Sequence, residues 1–255
     1  MAQTTYKDLL DAGAHFGHLT RKWDPKMAPY IFMEKNGIHI IDLNKTLVSL
    51  DYAAQAIRNI AKSGRKVMFV ATKKQAQEIV TTEAERLKMP YVTDRWLGGM
   101  LTNFATVRKS LKKMATIDKM VKENTAYAAL AKREKLMMSR ERAKLDRVLG
   151  GIADLGRLPA ALFVVDVKRE HIAVKEAHKL GIPVFAICDT NSNPELVQFP
   201  IPANDDASKS IQLIVGVIGK AIEDGLSERK VDKEDAERKE ADEAAIAEKT
   251  AADEE

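Results

Sequence analysis

The chain has one cysteine, Cys188, set in the apolar run VFAIC. That excludes a disulfide framework and a cysteine-rich metal site, and it predicts a small buried hydrophobe. No stretch approaches the roughly 18 consecutive apolar residues of a membrane span. The opening MAQTTYKDLL lacks the basic end, long apolar run and small-residue cleavage site of a signal peptide, so a cytoplasmic location is expected. Neither G-x-G-x-x-G nor a full phosphate loop follows any strand-like run. The nearest approach, Gly151 to Gly156 followed by Arg157-Leu158, lacks the Lys and hydroxyl and precedes a strand. No internal repeat is visible, and no nucleophile stands beside an evident base.

Acidic residues are scarce in one place. Between Phe104 and Leu149 the chain carries 13 Lys or Arg against 5 Asp or Glu, although its whole net charge is only +4. The segment 227–255 is the reverse, with 12 acids against 6 bases, and its low hydrophobicity predicts disorder or a solvated helix.

Strand and helix patterns alternate on both sides of the basic segment. A short helix with Leu9 and Leu10 opens the chain, and a polar loop follows it. Two β-like runs, YIFMEK and IHIIDL, then flank Asn36-Gly37, a dipeptide suited to a tight hairpin turn. Leu47, Leu50, Ala54, Ile57 and Ala61 predict a helix that stops near Gly64. The runs VMFVA (67–71), Tyr91-Val92, ALFVVD (161–166), VFAICD (184–189) and FPIP (199–202) read as strands, with helices near 74–88, 170–179 and 207–224 between and after them. Apolar strands without polar alternation are buried on both faces. The expectation is a three-layer α/β domain of residues 1–103 and 150–226 with a flavodoxin-like, five-stranded parallel sheet. Residues 104–149 form an inserted helical hairpin, and 227–255 a charged tail.

Within the insertion, Phe104, Val107, Leu111, Met114, Ile117 and Val121 recur at three or four residues, with Leu130, Met137, Leu145 and Val148 as a weaker continuation. This predicts two helices of about 30 Å pairing as a coiled-coil hairpin. Asn103 is placed to cap the first helix, and Gly98-Gly99 to let the chain leave the sheet.

The insertion's bases are Arg108, Lys109, Lys112, Lys113, Lys119, Lys122, Lys132, Arg133, Lys135, Arg140, Arg142, Lys144 and Arg147, with few acids spaced to pair with them. Such a field suits a phosphate backbone, while a dimerising adaptor is the bland alternative. Arg21, Lys22 and Lys26 surround Trp23 in a second basic group, whose planar side chains can stack on unpaired bases. His15 and His18 alone are an incomplete zinc site. Asp166, Asp189, Asp205 and Asp206 fall near strand ends, where Asp189 and Asp205 are candidates for a structural Mg²⁺. A Mg²⁺-dependent phosphate-handling enzyme is the alternative function.

The stretches AGAHFGHLTRKWDPKMAPYIF (12–32), GIHIIDLNKT (37–46), DRWLGGMLTNF (94–104), LPAALFVVDVKREHIAVKEAHKLGIPVFAICDTNSNP (158–194) and IPANDDA (201–207) resemble the bacterial small-subunit ribosomal protein S2 family. The likeness covers residues 1 to about 226. It departs at Asp24, where the family commonly has Asn. The resemblance implies a flavodoxin-like domain with a coiled-coil hairpin that contacts small-subunit ribosomal RNA and neighbouring ribosomal proteins, including the multi-domain RNA-binding protein number one. It implies no catalysis and no required cofactor. Carried over by motif, the RNA-facing residues are Arg21, Lys22, Lys26, Arg95, Asn103 and the basic hairpin.

Overall fold

The computed structural model describes residues 4–123, 127 and 130–253, with side chains as far as residue 234. The parallel sheet comprises β4 (Val67–Val70), β5 (Tyr91–Val92), β6 (Ala161–Val165), β7 (Val184–Cys188) and β8 (Phe199–Pro202), in the order β5-β4-β6-β7-β8. Counted along the chain from its first strand this is 2-1-3-4-5, the flavodoxin-like order. Every residue of β4, β6 and β7 is buried, as strands covered on both faces require.

Side-chain alternation divides the core between two layers. Phe69, Phe163, Phe185, Ile187 and Ile201 pack in one cluster with α2 (Leu43–Lys62), α3 (Lys74–Arg86) and the first part of α7 (Ser208–Asp253). Met68, Val70, Leu162, Val164, Ala186 and Cys188 face the other, which holds α6 (His171–Lys179), Trp96 to Leu101 and Leu149 to Leu155. Each fully buried large apolar side chain contributes about 1.5–3 kcal/mol by leaving water. Helices α2 and α7 approach so closely that a Cβ on Gly225 would lie 2.4 Å from the Arg58 carbonyl.

A three-stranded antiparallel sheet, order β1-β3-β2, is formed by β1 (Phe16–Leu19), β2 (Ile31–Lys35) and β3 (Ile38–Ile41). Asn36 (φ 54°) and Gly37 (φ 73°) make its hairpin turn with two left-handed residues, as the dipeptide predicts. Strand β1 lies where the sequence reads as a loop. Its short FGHL carries a glycine and no β-branched residue, and long-range bonds set it instead: the His18 amide donates to Thr190 Oγ1 at 2.8 Å, and Ile41 N to the His15 carbonyl at 2.8 Å. Leu9 of α1 (Tyr6–Asp11) is buried, but Leu10, expected beside it, is exposed.

The insertion contains α4 (Phe104–Glu123) and α5 (Lys132–Leu149). Leu111, Met114 and Leu149 join the cluster under α6, so the roots of both helices belong to the body's core. Val121 and Met137, expected in the apolar stripe, are exposed, whereas Ile117 is buried. Helix α7 runs through the charged segment to Asp253 where the composition predicts disorder or a solvated helix. Its docked first turns remove the nucleation cost, and Arg58–Glu228 and Lys62–Asp232 (3.0 Å) pairs tie the next turns to α2. Among the described residues no helix is long and apolar enough to cross a membrane.

Candidate nucleic-acid interface

The segment that launches the basic helices is organised by a residue the sequence did not single out, Glu176 of α6. Its buried carboxylate accepts from Gly99 N (2.7 Å), Leu101 N (3.0 Å), Thr102 N (3.0 Å), Thr102 Oγ1 (3.0 Å) and Trp96 Nε1 (3.2 Å). Burial alone would push this carboxyl up. The amides of Thr102 and Gly99, with the Trp96 indole and the Leu101 amide, outweigh it and hold the group below the ordinary carboxylate value. Gly99 has φ +90°, and a Cβ there would meet Asn103 Cβ at 3.2 Å. Thus glycine is required at 99, while Gly98 faces open space. Asn103 Oδ1 takes the Thr106 hydroxyl at 2.9 Å, so its observed side-chain bond goes to another side chain and not to a helix amide.

The bases of α4 and α5 fall into two groups. Lys113 pairs with Glu141, Lys119 with Glu123 (3.5 Å), Arg142 with Asp118 (2.9 Å) and Asp146 (3.0 Å), and Arg147 with Asp94 (3.1 Å). Several partners lie on the other helix or on the body, which spacing within one helix could not reveal. These pairs are exposed, worth about 0–1 kcal/mol each, and can exchange for phosphate. Arg108, Lys109, Lys112, Lys122, Lys132, Arg133, Arg140 and Lys144 are exposed and have no ion pair among the described residues.

Arg21 and Lys22 sit exposed in a 3-10 turn, Thr20–Lys22. Trp23 packs on His39, ring centroids 5.1 Å apart. Lys26 donates to Glu195 Oε1 at 2.9 Å, and that bond raises its pKa. Asp24 caps the next turn, accepting from Lys26 N at 2.9 Å, a bond that an Asn oxygen would also accept. Arg95 lies apart from this loop, lining a polar cavity with Arg147 and Arg169.

At the carboxyl ends of the strands three of the four expected acids converge around a lysine, and the fourth, Asp189, meets a histidine. Lys73 Nζ lies 2.7 Å from Asp205 Oδ1, 2.6 Å from Asp206 Oδ1 and 3.8 Å from Asp166 Oδ2. His18 Nδ1 lies 3.0 Å from Asp189 Oδ2, with Nε2 3.4 Å from Asp206 Oδ2. His15 stands outside the cluster: it lies in the turn before β1, and its ring packs on Phe16. Instead one ligand atom each from His18, Asp189 and Asp205 lie within 4.8 Å of one another. Asp205 Oδ2 is buried without a hydrogen-bond partner. Burial, then the charges of Asp189 and Asp166, push the Asp205 carboxyl up to about 7, against the opposing pull of Lys73. The hydrogen bond to Asp189 raises the His18 pKa against desolvation. An orphaned buried oxygen beside an imidazole and a second carboxylate fits a divalent cation; the imidazole nitrogen suits zinc, whereas magnesium would draw on the carboxylate oxygens.

The family model for ribosomal protein S2 matches residues 9–225. The chain is 72% identical over 239 residues to the small ribosomal subunit protein uS2 of Cytophaga hutchinsonii, covering 94% of each chain. It is 61% identical to the uS2 of Parabacteroides distasonis, covering 93% of this chain and 85% of that one. The uS2 of Flavobacterium psychrophilum is 62% identical, over 89% of this chain and 85% of its own. The match spans the parallel sheet, the launch segment and both basic helices. The chain therefore belongs to the ribosomal protein S2 family, whose members are ribosomal proteins and not enzymes.

Proposed function

We propose that the chain is a structural constituent of the small ribosomal subunit in the cytoplasm, binding small-subunit ribosomal RNA during assembly and translation. Helices α4 and α5 act as a coiled-coil hairpin that braces RNA, while the α/β body docks neighbouring ribosomal proteins, including the multi-domain RNA-binding protein number one. The carrying observation is the row of exposed, unpaired bases on α4 and α5, set on a launch segment fixed by Glu176. Fixed geometry combined with charge neutralisation requires no turnover. Arg21, Lys22, Lys26, Arg95 and Asn103 are further RNA-facing residues in this reading. The phosphate-handling enzyme gains no support, because no nucleophile is paired with a base among the described residues at the strand ends and the relatives are small-subunit ribosomal proteins.

The test neutralises the unpaired bases without disturbing the buried roots. A full chain carrying Arg108→Gln, Lys109→Gln, Lys112→Gln, Arg133→Gln and Arg140→Gln should fold with an unchanged Tm and fail to co-sediment with small subunits at physiological salt. Unimpaired incorporation overturns the RNA-brace reading.

A structural divalent cation at Asp189 and Asp205, with His18 as third ligand, is the accompanying proposal. Its role is to neutralise buried acids and tie β1 to the strand ends. Mg²⁺ or Zn²⁺ should raise the Tm of the chelator-treated chain, and His18→Ala with Asp205→Asn should abolish the rise.

A further inference from the structure

A cavity of about 360 Å³ opens beside the carboxyl ends of β4 and β6, lined by Thr72, Arg95, Trp96, Arg147, Arg169 and Glu170 among others. The sheet order β5-β4-β6 reverses direction at this point, since the chain passes from β4 outward to β5 and then returns to β6 on the opposite side. Open α/β sheets bind ligands in the crevice beyond such a reversal. Arg147 reaches this crevice from α5, and the other lining residues come from the body.

The hydrogen bonds around it are unbalanced. Glu170 is occupied, accepting the Thr72 amide at 3.0 Å and the Thr72 hydroxyl. Among the described residues Arg169 commits only Nε, to Thr72 Oγ1 at 2.8 Å, and Arg147 only Nε, to Asp94 Oδ2 at 3.1 Å. Arg95 makes no hydrogen bond or ion pair among the described residues. Three exposed guanidinium groups thus border one cavity, and their terminal N–H groups make no hydrogen bond to protein among the described residues. Planar forks of this kind match phosphate oxygens two at a time. Helix α6 also begins here, and its N-cap Glu170 makes no capping bond, so the positive end of the helix adds to the field.

We propose that this cavity is a phosphoryl-binding subsite in which Arg95, Arg147 and Arg169 grip the phosphate oxygens. An RNA backbone phosphate and a free phosphate compound share that chemistry. The subsite stands on the cavity's own donors and does not require the RNA-brace reading.

Inorganic pyrophosphate is the probe, titrated into the full chain carrying Trp23→Phe so that Trp96 at the cavity wall is the sole tryptophan reporter. Saturable binding is expected, weakened about ten- to hundredfold by Arg95→Gln and by Arg169→Gln, as loss of a charged hydrogen bond predicts. Arg108→Gln on α4 should leave it unchanged. Should Arg169→Gln fail to fold through its lost bond to Thr72, Arg95→Gln has no such bond to lose and decides the matter. Absence of saturable binding, or equal affinity in wild type and the Arg95→Gln variant, overturns the subsite. Where pyrophosphate binds, its displacement by a short single-stranded RNA assigns the site to backbone phosphate, and simultaneous binding assigns it to a free phosphate compound. Failure of the five-residue α4/α5 variant to join small subunits leaves this titration untouched, so the two readings fail separately.

Discussion

Thr102 donates both its amide and its hydroxyl to Glu176 Oε2, each at 3.0 Å. One carboxylate therefore fixes the turn from which α4 departs, and three further donors from Trp96, Gly99 and Leu101 complete the arrangement. A buried acid with five donors is a strong anchor, because removing it strands several polar groups at once. It converts a flexible Gly-Gly exit into a defined one.

Glu176→Gln should cost about 2 kcal/mol in urea unfolding, since charge-assisted bonds weaken and one acceptor oxygen becomes a donor. Glu176→Ala should cost more. The folded-state pKa lies below the ordinary value, so this group's stabilisation is present above the unfolded pKa and is lost as pH falls through the depressed folded one. Wild type and Glu176→Gln should therefore converge in stability in acid. A constant difference down to pH 2 would contradict the charged anchor.

Gly17→Ala tests the close approach of β1 to the end of β7. An added Cβ would lie 2.6 Å from Thr190 Cγ2 and 2.9 Å from the His39 carbonyl. The expected cost is about 1–3 kcal/mol, as for other overpacked sites. Adding Thr190→Ser removes the methyl and should recover part of it, while the contacts with Thr190 Oγ1 (2.8 Å) and the His39 carbonyl remain. A neutral Gly17→Ala would mean that β1 is not held where it is described.

Legibility followed burial and local geometry. Asn36-Gly37 announced its turn because both residues must be left-handed, and VMFVA, ALFVVD and VFAIC announced a parallel sheet because neither face is wet. Glu176 was hidden because one acid on an amphipathic helix resembles any solvated one, and its donors lie 74–80 residues away. Lys73 was hidden similarly: at the start of a helix it reads as exposed, yet it neutralises Asp205, 132 residues on. An apolar stripe read by spacing also extends too far, as exposed Val121 and Met137 show, because period alone does not say where a helix leaves its support. The ion pairs between α4 and α5 need both helices in place before Lys113 can meet Glu141.

The strand-end cluster should make stability fall with rising pH in chelator-treated protein. Asp205 is pushed from 3.8 up to about 7, so the folded state holds a proton that the unfolded state has released across that interval. His18 is also raised, and its contribution is full below 6.5 and lost as pH rises through the folded value. Both groups give the same sign. Tm should therefore drop between about pH 5 and pH 8, and Asp205→Asn should shrink the drop. An equal drop in that variant would place its origin elsewhere.

The division of bases into paired and unpaired makes a quantitative prediction for RNA affinity. An unpaired base such as Arg133 or Arg140 gains a phosphate without losing a partner, whereas Arg142 must first leave Asp118 and Asp146. Each phosphate contact removed should lower the slope of log affinity against log salt by about 0.7–0.9, whatever the RNA sequence. Arg133→Gln and Arg140→Gln together should therefore flatten the slope by roughly 1.4–1.8, while Arg142→Gln changes it less. Filter binding of small-subunit RNA across about 50–200 mM salt measures this directly. If Arg142→Gln flattened the slope as much as the unpaired residues do, its acids would be no competitors for phosphate, and the paired and unpaired groups would be equivalent to RNA.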